Sequence, residues 1–193
     1  MYRIMENLNE KYSIAIVPSN EIVSLIKSYK DLLASNIGSY KSRNAMAHIT
    51  IKEIFANEKE LELTIKQLQR CCNSFQPFSV RCTHFNSYPS NKTIFIEPDS
   101  DSKKSLIEVM KKIQKTTTIK SNHIGSDPHI SIGRGIQKFD EALAILNFPL
   151  DINLIVDSIT IRKFNPEIKQ YEIYKTIPFL SLPNQEPQQM SLF

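Results

Sequence analysis

Glycine is scarce in this sequence. The four glycines are scattered at Gly38, Gly125, Gly133 and Gly135, so no run of closely spaced glycines can form a loop around the phosphates of a nucleoside triphosphate. This scarcity argues against chemistry driven by ATP.

Cysteine is also scarce, with three residues at Cys71, Cys72 and Cys82. An odd number with two adjacent members fits neither a disulfide framework nor the Cys-x-x-Cys spacing of a metal or redox site. His84 and His123 also lack a paired ligand spacing. We therefore expect reduced thiols, no metal and no cofactor.

Long apolar runs are missing as well. Met1 to Glu10 carries charges and amides where a secretion signal would be apolar, and no stretch approaches the roughly 20 apolar residues that cross a bilayer. The expectation is a soluble cytoplasmic protein that does not contact membranes.

The charge is not strongly of one sign. Lysine and arginine number 24 against 20 acidic residues, for a formal net charge of +4. Such a balance permits a phosphate-bearing ligand, but it does not by itself indicate non-specific binding to nucleic acid.

Strands and helices alternate in the first half of the sequence. Tyr12 to Val17 is β-branched and stops at a proline, and a helix with apolar positions from Ile22 to Leu33 should follow, capped by Ser19 or Asn20 and stopped by Gly38. The other expected elements are a strand at Ala47 to Ile51, a helix at Glu58 to Phe75, and strands at Phe78 to Phe85 and Thr93 to Glu97.

The order of elements then restarts after Pro98. A helix capped within Asp99 to Ser102 should precede a short strand at His129 to Ile132 and a helix near Phe139 to Leu146. Two extended stretches, Ile152 to Phe164 and Tyr171 to Ile177, should follow. The alternation predicts an α/β or α+β sandwich of two lobes, and each half of the chain would contribute one histidine strand.

Two tetrapeptides share one pattern of side chains. His48-Ile-Thr-Ile51 and His129-Ile-Ser-Ile132 both read histidine, apolar, hydroxyl, apolar. Because side chains alternate across a strand, the histidine and the hydroxyl share one face while the isoleucines enter the core. One such match is typical of an edge-strand histidine. Two matches, one per half, predict two imidazoles around one groove.

This arrangement suits phosphoryl transfer without a metal. One imidazole can take a proton from the attacking oxygen while the other gives a proton to the leaving oxygen. The hydroxyls of Thr50 and Ser131 could hold the non-bridging oxygens. The residues do not decide which histidine is the base.

With these motifs the sequence resembles the two-histidine (2H) phosphoesterases, the 2′-5′ RNA ligase-like family. The segment Pro128-His-Ile-Ser-Ile-Gly-Arg134 looks like the second family motif, whereas Ala47 stands where a proline often precedes the first histidine. The resemblance implies a pseudo-symmetric two-lobed fold with antiparallel sheets, helices packed outside and a central groove. It also implies that His48 and His129 are the catalytic acid/base pair, that Thr50 and Ser131 hold phosphate, and that no metal is used.

The implied activity is that of a cyclic phosphodiesterase or 2′-5′ RNA ligase-like enzyme, and the implied partner is an RNA or nucleotide substrate with a 2′,3′-cyclic phosphate or a 2′-5′ linkage. Arg134 could clamp a phosphate through its forked donors, or it could be a surface residue of a glycine-flanked turn. Tyr40 and Arg43 lie before His48, where they could meet a base and a phosphate or merely be solvated.

The C-terminus predicts a separate tail. Residues 1–180 are expected to form the two-lobed domain, as a monomer, and residues 181–193 a flexible, polar and proline-bearing tail. The tail ends in Gln189-Met-Ser-Leu-Phe193, which resembles the pentapeptide that docks bacterial proteins onto the DNA sliding clamp. Its anchors would be Gln189, Met190, Leu192 and Phe193. The alternative function is therefore a nucleotide- or RNA-binding interaction protein recruited to the clamp, and the simpler interpretation is a tail that folds back on its own domain.

Overall fold

Two antiparallel sheets dominate the computed structural model, which describes residues 9–183. In chain order the elements are β1 (Glu10–Ile16), α1 (Asn20–Ile37), β2 (Ile49–Ala56), α2 (Glu58–Cys72), β3 (Phe78–Tyr88), β4 (Thr93–Pro98), α3 (Ser100–Thr116), β5 (Ser121–Ile124), β6 (Ile130–Gly133), α4 (Phe139–Ile145), β7 (Ile152–Val156), β8 (Ser158–Asn165) and β9 (Gln170–Pro178). A short 3-10 turn, Pro89–Asn91, links β3 to β4.

The two sheets draw their strands from both ends of the chain. The larger sheet has the order β5-β2-β1-β8-β9 and the smaller one the order β6-β4-β3-β7. All the pairings are antiparallel. The helices pack on the sheets: α2 contacts α3, β2 and β9, α3 also contacts β2 and β3, and α1 contacts α4 and β6. This architecture confirms the predicted α+β class with two antiparallel sheets.

Two helices, α1 and α3, begin where the sequence predicts caps, and α2 has a cap that was not predicted. Ser19 accepts a hydrogen bond from the Ile22 amide at the start of α1, which ends before Gly38 at φ 86°. Asn57 and Glu60 form a reciprocal capping box on α2, and the Asp99 side chain accepts from the Ser102 amide on α3. Each cap satisfies backbone donors that the first helical turn leaves free.

The core is built mainly from isoleucine. Ile14 on β1, Ile49 and Ile51 on β2, and Ile130 and Ile132 on β6 are all fully buried in one continuous apolar cluster. Burial of each such side chain contributes roughly 1.5–3 kcal/mol to folding. The isoleucines that flank the two candidate histidines therefore anchor both strands in the core.

Two expectations about the strands were wrong. Ile152 to Phe164 is not one extended stretch. The strand is interrupted at Asp157, and the two pieces, β7 and β8, belong to different sheets. The strand β5 was not predicted at all. In consequence the sheets are not the two halves of the sequence: β5, β8 and β9 return to the sheet that begins with β1.

The three cysteines, Cys71, Cys72 and Cys82, are free thiols. Burial raises the pKa of Cys72 and of Cys82 to about 12. Neither of these two thiols is therefore a nucleophile at neutral pH. Among residues 9–183 no helix has both the length and the apolar character needed to cross a membrane.

Candidate active site

The first motif lies at the start of β2. Ile49 and Ile51 are fully buried, while His48 and Thr50 are half-buried on the opposite face. The pairing with β1 slips here, since Ala15 pairs with Thr50 but Ile14 pairs with Lys52. The extra residue is a β-bulge, and it lets Thr50 and Glu53 line the same cavity although they are three residues apart.

The second motif has the same orientation on β6. Ile130 and Ile132 are fully buried, and Ser131 is half-buried with His129 immediately before the strand. The strand β6 is the edge of the smaller sheet, paired with β4. The alternation predicted for both tetrapeptides is therefore present in the structure.

Two adjoining cavities bring the motifs together. One, of about 170 Å³, is lined by both histidines with Thr50, Ser131 and Arg134. The other, of about 240 Å³, shares His48, Thr50, Ser131 and Arg134 with the first. We call these two cavities the groove.

The two imidazoles are held in the same way. His48 Nδ1 lies 2.7 Å from the carbonyl oxygen of Met46, and His129 Nδ1 lies 2.9 Å from that of Asp127. Because a carbonyl oxygen only accepts, each Nδ1 carries a hydrogen and donates it. In the neutral ring Nε2 is then the unprotonated nitrogen, which can accept a proton and, once protonated, return it.

The charges around the two imidazoles differ. Burial and the positive charges of Arg162, Lys30 and Arg134 lower the pKa of His48 to about 3. Burial also lowers the pKa of His129, and the positive charges of Arg134 and Lys103 lower it further, whereas the backbone carbonyl and the carboxylate of Asp127 oppose that shift. His48 is therefore the stronger candidate for a ring that stays neutral, and His129 the stronger candidate for a ring that gains a proton.

Arg162 on β8 is one source of the positive charge near His48. Its side chain is 2% exposed, one terminal nitrogen donates to Ser13 Oγ at 2.7 Å, and the guanidinium lies 5.1 Å from the centre of the Tyr171 ring. No carboxylate among residues 9–183 pairs with this guanidinium, and a buried cation in that position costs free energy to keep. Burial lowers its pKa to about 10, against the Coulombic effects of Tyr171 and Glu53.

Arg134 is placed beside the second motif. Its Nε and one terminal nitrogen donate to Ser131 Oγ at 3.3 and 3.1 Å, and its backbone forms an isolated bridge with Lys41. Gly135, with φ 60°, turns the chain immediately afterwards. The exposed guanidinium thus lines the groove with donors to spare.

Tyr40 and Arg43 are not brought to the groove, which corrects the expectation for both. The Tyr40 hydroxyl donates to the Lys30 carbonyl at 3.0 Å, and its ring lines a different cavity. Arg43 pairs with Asp31 at 3.2 Å. Their side chains are used to fix the loop before His48 against α1.

Sequence reasoning missed several groove residues, of which His123 is the clearest. It stands on β5, pairs across the sheet with Glu53 and lines both cavities. Gly125 explains how this segment approaches so closely, because a Cβ there would lie 2.2 Å from the Thr50 carbonyl oxygen. In the sequence, the signal for this close approach was Gly125, two residues after His123. The signal can be interpreted only once the pairing of β5 with β2 is known.

No group of three or more histidine, cysteine, aspartate or glutamate side chains within residues 9–183 is arranged to hold a metal ion. His84 lies outside the groove, with its Nε2 3.1 Å from Glu97. The predicted anchors of the tail, Gln189 to Phe193, fall outside the described residues.

Solved structures with the same fold are known. LigT of E. coli in complex with 3′-AMP superimposes with a TM-score of 0.61 at 13% identity over 89% of this chain and 98% of LigT. TT0787 of Thermus thermophilus gives 0.60 at 13% identity over 88% of this chain and 98% of its own. Usb1 of Kluyveromyces marxianus gives 0.52 at 12% identity over 89% and 99%. At such low identity the likeness establishes the fold alone.

The family is established by sequence. No curated protein matches the chain, but the family model described as the 2′-5′ RNA ligase superfamily matches residues 18–166, which is most of its length and includes both histidine motifs. This chain belongs to the 2′-5′ RNA ligase superfamily.

Proposed function

We propose that the protein is a metal-independent phosphoesterase. Its substrates are RNA-like molecules with a 2′,3′-cyclic phosphate or a 2′-5′ phosphodiester, and its chemistry is acid–base catalysis by His48 and His129. The observation that carries the proposal is that two imidazoles, each fixed through Nδ1 to a carbonyl two residues earlier, line one cavity with two hydroxyls and an arginine.

The charges around the two imidazoles suit them to different roles, one as general base and one as general acid. His48, surrounded by cations, is the general base that takes a proton from the attacking oxygen. His129, close to the Asp127 carboxylate, is the general acid that protonates the leaving oxygen. Thr50 and Ser131 donate to the non-bridging oxygens, and Arg134 neutralises the negative charge that develops on them.

The structural relatives support a nucleotide ligand. LigT has been crystallised with 3′-AMP, with ATP and with phosphate. A protein of the same fold thus accepts nucleotides, and the arginine and hydroxyl donors of this groove suit the same chemical class.

Turnover of a nucleoside 2′,3′-cyclic phosphate and of a 2′-5′ dinucleotide, measured with EDTA present, tests the proposal. His48→Ala and His129→Ala should each lower kcat by roughly 10²- to 10⁴-fold. His84→Ala is the matched control, because this imidazole is exposed and paired with Glu97 outside the groove. Loss of activity when EDTA removes metal ions would reject the mechanism. So would a turnover rate that neither His48→Ala nor His129→Ala changes.

We also propose that the last five residues recruit the protein to a DNA sliding clamp. The supporting observation is the terminal peptide Gln189-Met-Ser-Leu-Phe193, in which a glutamine and an apolar pair could fill a surface pocket of the clamp. Deletion of 189–193 should abolish binding to a purified clamp and leave turnover of the cyclic phosphate unchanged. Equal clamp binding by the full and the shortened chain would refute the recruitment.

A further inference from the structure

The cavity of about 240 Å³ extends beyond the histidine pair and has two unlike walls. One wall carries Lys30 and Ser42, with Lys30 Nζ 3.5 Å from the Ser42 carbonyl oxygen. The other carries the rings of Phe164 and Tyr171, whose centres are 5.3 Å apart. His129 does not line this cavity. A group bound there therefore lies to one side of the substrate bond that would be cleaved between the two imidazoles.

Lys30 is a buried cation without an acidic partner within residues 9–183. Its side chain on α1 is 1% exposed, and Nζ donates to the carbonyl oxygens of Ala45 at 2.7 Å and Ser42 at 3.5 Å. An ammonium group has three hydrogens, so one remains for a ligand. Burial, with help from Lys27 and Arg134, lowers its pKa to about 8. An unpaired buried charge is costly, and an anion in the cavity would offset that cost.

Ser42 adds a second donor to the same wall. Its Oγ atom is buried and has no hydrogen-bond partner in the part of the chain that the structure describes. The residue also has φ 67°, a backbone conformation that serine rarely adopts.

The acidic residue of the cavity is engaged elsewhere. Glu53 Oε2 lies 2.9 Å from Lys11 Nζ, and that ammonium lies over the rings of Phe164 and Tyr171 at 5.9 and 5.5 Å. The negative charge of Glu53 is therefore balanced on the aromatic side, and the side with Lys30 keeps its net positive charge.

We propose that Lys30 and Ser42 form a second phosphate subsite, which binds a phosphate of the substrate other than the one attacked between His48 and His129. The inference rests on the proposed function and narrows its substrate class. The subsite favours binding of substrates that carry a second phosphate beside the reacting one, such as an RNA end or a 5′-phosphorylated nucleotide. A nucleoside cyclic monophosphate lacks this second phosphate and binds less tightly. Arg134, which lines both cavities, faces both phosphates.

Calorimetric binding of adenosine 3′-monophosphate and adenosine 3′,5′-bisphosphate tests the subsite without relying on turnover. The wild type should bind the bisphosphate about tenfold more tightly, since hydrogen bonds to a charged group are worth more than neutral ones. Ser42→Gly removes the hydroxyl and suits the positive φ, so the fold is not at risk. This variant should lose most of the tenfold gain and bind the monophosphate as the wild type does. Lys30→Met should also lose most of the gain.

Lys41→Met is the control, because this exposed lysine belongs to the same loop but lines neither cavity of the groove. Equal affinity of the wild type for the two ligands overturns the inference. So does a preference for the bisphosphate that both Ser42→Gly and Lys30→Met retain. A preference that is lost in Lys41→Met also overturns it. A bisphosphate preference that depends on Ser42 in a protein that turns over neither test substrate would keep the subsite and reject the proposed function instead.

Discussion

His48 and His129 occupy equivalent positions in the two sheets, yet the charges around them differ. Each precedes a strand with buried isoleucines, and each donates through Nδ1 to a carbonyl two residues earlier. Around His48 the influential charges are those of Arg162, Lys30 and Arg134, all positive. Around His129 a carboxylate, that of Asp127, is also present.

The surroundings of His129 are held by a small network. The Asp127 carboxylate lies 2.6 Å from Lys103 Nζ and accepts from the Tyr88 hydroxyl. The rings of Phe95 and Tyr88 lie 4.7 and 5.7 Å from the imidazole, centre to centre. Lys103 in turn reaches Glu97 at 2.6 Å. This network fixes the loop whose carbonyl orients His129.

The comparison teaches that two copies of one motif can serve two purposes. The tetrapeptides set the position of each ring, the carbonyl two residues before it sets the tautomer, and the charged side chains around it set its affinity for a proton. The proposed mechanism needs both a proton acceptor and a proton donor, and the unequal charges are the basis on which we assign these two roles.

The largest expected effect comes from changing the leaving group. On a 4-nitrophenyl phosphodiester of a nucleoside the departing oxygen needs no proton. His129→Ala, which should cost roughly 10²- to 10⁴-fold on an alkyl diester, should then cost little, whereas His48→Ala should lose activity on both substrates. The measurement is kcat for each variant on each substrate.

The double variant sharpens the same comparison. Groups that act in one step are strongly non-additive, so His48→Ala/His129→Ala should be scarcely slower than the worse single variant on the alkyl diester. Rescue of His48→Ala, rather than His129→Ala, by the 4-nitrophenyl group would reverse the assignment of base and acid.

The next effect concerns the two hydroxyls. Thr50→Val and Ser131→Ala should each lower kcat/KM by about tenfold or more, because each removes a hydrogen bond to a charged oxygen. The loss should be larger for Ser131→Ala, since Ser131 Oγ also accepts from Arg134. Thr50→Ser and Ser131→Thr keep the hydroxyls and serve as controls. Equal activity of the Thr50→Val and Thr50→Ser proteins would remove Thr50 from the proposed phosphate contacts.

The two histidine motifs could be predicted from the sequence, but the different charges around the two rings could not. The isoleucine and hydroxyl alternation follows from strand geometry within four residues, so both motifs were predictable. Arg162 reaches Ser13 across 149 positions of sequence, and Lys30 donates to carbonyl oxygens of the loop before His48. His123 depends on the pairing of β5 with β2. Contacts between residues distant in the sequence, which local patterns do not encode, placed these side chains.

The pH dependence of kcat/KM should show a smaller effect. The acid must be protonated in the free enzyme, so activity should fall as pH rises through the pKa of His129, which lies below its ordinary value of 6.5. Asp127→Asn keeps the backbone carbonyl but removes the charge that raises this pKa. The fall should therefore move to lower pH, by less than about one unit. A fall that moves to higher pH, or does not move, would contradict the part given to Asp127.

The smallest expected effect is on stability, and only on the His129 side. Desolvation would raise the pKa values of Glu97 and Asp127, but hydrogen bonds, with those from Lys103 foremost, lower both below their ordinary values. A carboxylate with a lowered pKa stabilises the fold above its unfolded pKa, and that contribution disappears as pH falls through the folded value. Because these ion pairs are partly exposed, Lys103→Met should cost less than about 1 kcal/mol at neutral pH. Urea unfolding should show this difference between wild type and variant at neutral pH and none once both carboxyls are protonated. Lys104→Met, whose ion pair with Asp101 is largely exposed, should show no difference at either pH, and a Lys103 effect that persists in acid would mean that its methylenes, rather than its charge, support the loop of His129.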